Sequence, residues 1–133
     1  MADAPFNTVQ SLIDDVRTLL LDTVTPYRYT DPELMTALNT AVWEGRRLRA
    51  DLFISFRGRS VPFYQQPSGE PFCVEAQFRL PFVYGTVAHA LMRDNEDVQD
   101  ARAAGFLGRF YHMLGAPIPP PIQGGTPEAK KAT

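Results

Sequence analysis

His89 and His112 are the only imidazoles in the chain, one on each of its two C-terminal helical stretches. Two histidines on facing helices can hold a metal ion, but a metal centre needs three or four ligands, and no cysteine or carboxylate at ligand spacing joins them. Ordinary packing or surface roles account for both more simply than a small metal-dependent enzyme does. Asp14 and Asp15 are adjacent, so a helix turns their carboxylates about 100° apart and they form no acid–base pair. Glu96, Asp97 and Asp100 read more simply as the acidic first turn of a helix than as a cation site. The single Cys73 lies in a strand-like run without a nearby histidine, which leaves it no activating base. Gly58 and Gly69 stand alone and Gly124-Gly125 falls in a proline-rich stretch, so there is no glycine-rich phosphate loop. No catalytic residue, cofactor or metal is expected.

One charge feature stands out. Arg46, Arg47, Arg49, Arg57 and Arg59 place five of the 13 basic residues within a short stretch, interleaved with Phe53 and Phe56. Such a cluster can face phosphates, or pair with a partner's carboxylates, while a solvated helix end accounts for it as simply. Of the two functional readings a protein interface suits the chain better, because no recognition-helix layout surrounds the patch and the net charge is −2. Trp43 sits beside the apolar stripe of the same helix. Half-buried packing is its default role, and an interface anchor the sharper one.

The elements that must position these residues follow from the prolines. Residues 8–22, 33–50, 82–93 and 96–114 contain none of the 12 prolines, which predicts four helices. Helix 1 starts at Asn7 or Thr8 and carries Val9, Leu12, Ile13, Val16, Leu19 and Leu20 on one face. A short connection makes it the antiparallel neighbour of helix 2. Thr30-Asp31-Pro32-Glu33 is a capping box with proline in the first turn. Leu34, Leu38, Ala41, Val42, Gly45 and Leu48 then form the buried stripe, and Asn39 and Glu44 fall off it. Helix 3 opens at Pro81. Helix 4, capped by Asp94 or Asn95, buries Ala103, Phe106, Leu107, Phe110 and Leu114, and its Ala101, Ala104, Gly105 and Gly108 make a slim flank for a close neighbour.

Between helices 2 and 3 the period changes to two, as in Leu52, Ile54 and Phe56, and again in Phe72, Val74, Ala76 and Phe78. Pro67-Ser68-Gly69 lies between as a turn signal. The expectation is a β-hairpin or extended arm over 51–80, whose phenylalanines need a covering surface from the bundle or from another subunit. After Gly115 the chain reads Ala116-Pro117-Ile118-Pro119-Pro120-Pro121-Ile122, a composition that favours polyproline II and, by itself, an unpacked tail. The fold class is therefore mainly α: a four-helix bundle over 1–115 with the 51–80 insertion, and a flexible Pro/Gly-rich tail over 116–133.

At 133 residues, 44% hydrophobic and 21% charged, the composition is that of one ordinary globular domain. A pI near 5.6 gives no global attraction for nucleic acid or anionic lipid. No apolar run approaches the ~20 residues needed to cross a bilayer, and Met1-Ala2-Asp3-Ala4 does not lead into a secretion signal. A reducing, cytosolic birthplace is expected.

In order, a helix Val9 to Leu20, the aromatic-Thr-Asp-x-Glu-Leu entrance at Tyr29 to Leu34, an Ala/Asn-rich helix 2, a variable excursion, the Leu80-Pro81 step and a closing helix pair joined at Asp94-Asn95-Glu96-Asp97 form a set. This set is similar to the head-to-tail connector, or adaptor, proteins of tailed bacteriophages, over roughly residues 8–115. The resemblance implies a virion structural protein rather than an enzyme, assembled in the host cytoplasm and located at the neck between head and tail. It implies a homo-oligomeric ring, commonly a dodecamer, under the portal protein. Such a ring prolongs the channel for genomic DNA and offers a docking surface to a tail or nozzle protein. Family members grip the portal with a C-terminal segment or an arm, which makes 116–133, with Pro119, Pro120 and Pro121, and 51–80, with Phe72 and Phe78, the candidates here. A closed ring needs two complementary faces, and the edge from Arg46 to Arg59 meeting the acidic turn at 94–100 would supply them. The main rival is a small terminase subunit or another phage DNA-binding protein, with salt-sensitive affinity centred on the arginines.

Overall fold

The structure, a computed structural model, describes residues 6–93 and 97–115, and of residues 97–100 the helical backbone alone. The described residues are mainly helical, with α1 (Val9–Leu20), α2 (Asp31–Leu48), α3 (Arg79–Met92) and α4 (Asp97–Met113). Two short 3-10 helices, Ala50–Phe56 and Ala76–Phe78, lie between α2 and α3. No helix among the described residues is long and apolar enough to cross a membrane.

Local chemistry sets the helix starts. Thr8 rather than Asn7 caps α1, its hydroxyl accepting from the Ser11 amide at 3.1 Å. At α2 the capping box closes in both directions: the Glu33 amide donates to the Thr30 hydroxyl at 3.3 Å and the Thr30 amide to the Glu33 carboxylate at 2.8 Å. α3 begins at Arg79, and Pro81 falls in its first turn, where no intrahelical donor is lost. The expected caps Asp94 and Asn95 lie outside the described residues.

α3 is the centre of the molecule. Phe82, Val83, Thr86, Val87, Ala90 and Leu91 are all buried, and α4, α2 and then α1 pack on it in that order of extent. The expectation that α1 lies chiefly against α2 is corrected here, since its main helical neighbour is α3. What joins α1 to α2 is ionic. The buried Arg17 guanidinium donates to Asp22 at 2.8 Å, to the Tyr29 carbonyl at 2.9 Å and to Asp31, in the first turn of α2, at 2.8 Å. Asp22 also accepts from the Arg28 and Tyr29 amides, so the buried charges are paired and the loop between the helices is closed around them.

Phe82 is the hub of an aromatic core. Its ring meets Phe53 at 6.0 Å, Phe72 at 5.7 Å and Phe110 at 5.8 Å between centroids, each edge to face. Two glycines make room for these rings. A Cβ at Gly45 of α2 would stand 2.3 Å from Phe82, and one at Gly85 of α3 would stand 2.8 Å from Phe110.

Residues 51–80 depart from the expected hairpin. No strand forms among the described residues, and the only pairing in this segment is an isolated antiparallel bridge between Pro71 and Thr8. The first alternating run is the 3-10 helix, which turns Phe53 into the core at 2% exposure and Ile54 outward at 63%. An alternation of apolar residues over so short a run is compatible with either geometry. The second run buries Phe72 and Val74, bends at Cys73 and Val74, then winds into Ala76–Phe78. The segment lies against the rest of its own chain. The Phe72 amide donates to the Asn7 carbonyl and the Val9 amide to the Glu70 carbonyl, both at 3.0 Å. Asn7 and Asn39 hold it by side chain. Asn7 donates to the Val74 carbonyl at 2.9 Å, and Asn39 donates to the Tyr64 carbonyl at 2.8 Å while accepting from the Tyr64 amide at 2.9 Å. Asn39 is thus buried, against the expectation that it faces solvent.

Candidate functional site

The arginine cluster forms at the junction of α2 with the 3-10 helix, but most of its members donate to groups of the same chain. Arg46 donates to the Phe56 carbonyl at 3.0 Å and to the Arg59 carbonyl, and Arg59 donates to the Ser55 carbonyl. These bonds tie the end of α2 to the end of the 3-10 helix and the turn after it, where the Phe56 carbonyl also accepts from the Arg59 amide at 2.9 Å. Arg49 is held by Asp51 at 2.8 Å and caps α4 by donating to the Leu114 carbonyl at 2.9 Å. Arg47 pairs with Glu44 at 2.6 Å from an exposed position. Arg57 is exposed beside Gly58 and lines a cleft of about 360 Å³ with Arg46, Asp51 and Ile54.

The aromatic members divide differently. Phe53 and Phe72 are corrected from interface to core, at 2% and 3% exposure, because both pack on Phe82. Phe56 and Phe78 are half-buried against the same core. Pro119, Pro120 and Pro121 lie outside the described residues, as do Asp94, Asn95 and Glu96 and the side chains of Asp97 and Asp100. The proposed partner of the arginine edge is therefore not in view.

Trp43 is 48% exposed and Phe63 is 68% exposed, and both line an open groove of about 880 Å³ along α2. Thr36, Thr40, Trp43 and Arg47 line it at helical spacing, with Asn39, Glu44 and Arg46 beside them. The Arg46 guanidinium stacks over the Trp43 ring at 5.7 Å. At one wall α2 meets α4: Glu44 accepts from the Tyr111 hydroxyl at 2.7 Å as well as from Arg47. The Arg47 guanidinium holds the Glu44 carboxyl below its ordinary value, helped by Tyr111 and opposed by burial.

His89 and His112 do not share a surroundings. His112 is exposed, whereas His89 is half-buried with its Nε2 enclosed and without a hydrogen-bond partner among the described residues. Burial pushes the His89 imidazole below its ordinary range, against the opposing charge of Glu44. Among the described residues no group of three or more His, Cys, Asp or Glu side chains could hold a metal ion. Burial also pushes the Cys73 thiol up to about 11, the reverse of what a nucleophile needs.

The slim flank of α4 is open. Nothing among the described residues lies within 4 Å of a Cβ placed at Gly105 or Gly108. Phe106 and Tyr84 stack beside it at 5.7 Å, and Arg109 lies over both rings. Sequence reasoning found this flank, the arginines and Trp43. It missed Phe63, which had no helical stripe to mark it, and Tyr111, whose hydroxyl gives no sign of reaching Glu44.

Comparison of the chain with known protein families, with curated proteins and with solved structures finds no match.

Proposed function

We propose that this chain is a subunit of a homo-oligomeric ring that joins the portal protein of a tailed bacteriophage to its tail. The chain would act as a structural protein of the virion neck rather than an enzyme. In this reading the four helices are the bundle of an adaptor, the 51–80 excursion is a covering arm fixed to its own subunit, and 116–133 is the segment that reaches the portal. The order of elements named above for the connector proteins supports it. The observation that carries it is the outer face of α4. Glycine inside a helix costs about 1 kcal/mol relative to alanine, and at Gly105 and Gly108 no neighbour among the described residues uses the space gained. A helix of the next subunit would use it, in the heterologous contact that a ring requires.

The engagement of the arginines favours this reading over a DNA-binding one. Arg46, Arg49 and Arg59 direct donors to carbonyls of their own subunit, which leaves fewer for phosphates. Arg57 is the better candidate for a contact with the acidic turn of a neighbour. Co-sedimentation with purified portal particles tests the proposal, with an Arg57→Glu variant as the partner experiment. Binding by the wild type, weakened by Arg57→Glu without loss of folding, is expected. A chain that ignores portal particles but shifts duplex DNA in low salt would instead make it a DNA-binding protein.

A further inference from the structure

We infer that the outer seam of α2 docks an acidic amphipathic helix of a partner protein. Thr36, Thr40, Trp43 and Arg47 line the groove at i, i+4, i+7 and i+11, the spacing at which one helix receives the side chains of another. From Thr36 to Arg47 the seam is about 16 Å long at 1.5 Å per residue, room for about three turns of a second helix. The Thr36 and Thr40 hydroxyls donate to the Pro32 and Thr36 carbonyls at 3.0 and 2.8 Å, which satisfies their donors and leaves a low floor one turn before the Trp43 ring. Trp43 and Phe63, exposed on the same groove, are the apolar anchors that such a helix would cover.

Charge identifies the flank of the occupant. Arg17, Arg47, Arg49 and Arg79 each meet a carboxylate of this chain at 2.6 to 2.9 Å. Arg46, which lines the groove, and Arg59, whose carbonyl Arg46 holds, meet none among the described residues. A helix lying on the seam with carboxylates along its flank would neutralise both charges. No described helix of this chain has that character. The exposed residues of α1 are Gln10, Asp14, Asp15 and Thr18, none of them apolar, and α3 buries ten of its 14 residues. The outer face of α4 carries Gly105, Gly108 and the basic Arg109, and a second α2 would bring further arginine. The occupant is therefore another protein rather than a second copy. A nucleic acid suits the groove less well, because a base would have to stack on the Trp43 ring, over which the Arg46 guanidinium already lies at 5.7 Å. The seam is separate from the α4 flank and from Arg57, so it stands whether or not the chain forms a ring.

The probe is a labelled synthetic peptide of about two heptads, with leucine at the seam positions and glutamate on the flanks. Titrated with the full-length chain, its fluorescence anisotropy should rise, and with the unlabelled peptide the Trp43 emission should shift to the blue. Trp43→Ala should weaken binding about tenfold. Phe63→Ser, outside any helix, should weaken it as well, and both variants should keep the far-ultraviolet circular dichroism and melting curve of the parent. The same peptide with glutamine in place of every glutamate should bind about threefold more weakly at low salt, a difference that closes as salt is raised. Absence of binding, equal binding of the two peptides at low salt, or full affinity in both variants would overturn the inference. So would displacement of the peptide by single-stranded DNA, which would make the groove a nucleic-acid site. A dimer in sedimentation that is lost in Trp43→Ala would overturn it too, by making the occupant a second copy.

Discussion

Four helix-interior glycines fall into two pairs, and the pairs face different neighbours. Gly45 and Gly85 lie where two phenylalanine rings come closer than any Cβ allows, so the chain's own packing explains them. Gly105 and Gly108 cost the same helix propensity and face open space among the described residues. The first pair belongs to folding. The second has no such explanation among the described residues, and this asymmetry is what the proposed function accounts for with a neighbouring chain against α4.

The comparison is broken most forcefully from the inside. Gly45→Ala puts a methyl 2.3 Å from Phe82, and Gly85→Ala puts one 2.8 Å from Phe110. Both rings are enclosed by other core side chains and cannot swing away, so each substitution should cost about 1 to 3 kcal/mol by urea denaturation. Shrinking the ring sharpens the test: in a double-mutant cycle with Phe82→Leu, the cost of Gly45→Ala should fall, while that of Gly85→Ala should change less.

On the outer face the sign reverses. Gly105→Ala and Gly108→Ala should each stabilise the free subunit by up to about 1 kcal/mol, because a better helix former replaces glycine at no steric cost. The same substitutions should weaken binding to portal particles. A gain in melting temperature without any loss of binding would remove the assembly explanation.

Acid gives the smallest effect and acts on the inner side alone. Burial lowers the folded-state pKa of His89, so its contribution is complete above the ordinary histidine pKa of about 6.5 and declines as pH falls through the folded value. Glu44 is lowered as well, mainly by Arg47, so its contribution is present above the ordinary carboxylate range and is lost as pH falls through its folded pKa. The urea midpoint should therefore decrease between about pH 7 and pH 4, and His89→Gln should flatten the upper part of that slope.

How much of this could be read from the sequence depends on the distance over which each feature is decided. The Thr30 to Glu33 capping box is settled within four residues and forms as read, whereas helix 3 starts at Arg79, two residues before the expected Pro81, which falls in its first turn. The stripes of α1 and α3 follow from one period, and their residues are buried almost without exception. The run Leu52 to Phe56 has no such advantage, since three alternating residues fit a strand as well as a 3-10 turn, and what distinguishes them is the contact of Phe53 with Phe82, far along the chain. Asn39 looked like a surface residue because nothing local says that Tyr64 will bring its backbone to the same point. Arg17 is similar: a basic residue on an amphipathic helix is ordinarily solvated, and only Asp22 and Asp31 together make it a buried link between helices. As for the candidate surface, the arginines were visible as a cluster, but that their donors turn inward to carbonyls was not.

The most direct test of the central claim is electron cryomicroscopy of the full-length protein bound to portal particles. The account expects a closed ring in which a helix of the adjacent subunit lies against Gly105 and Gly108. Portal particles without a ring, or a ring in which that flank of α4 faces solvent, would contradict it.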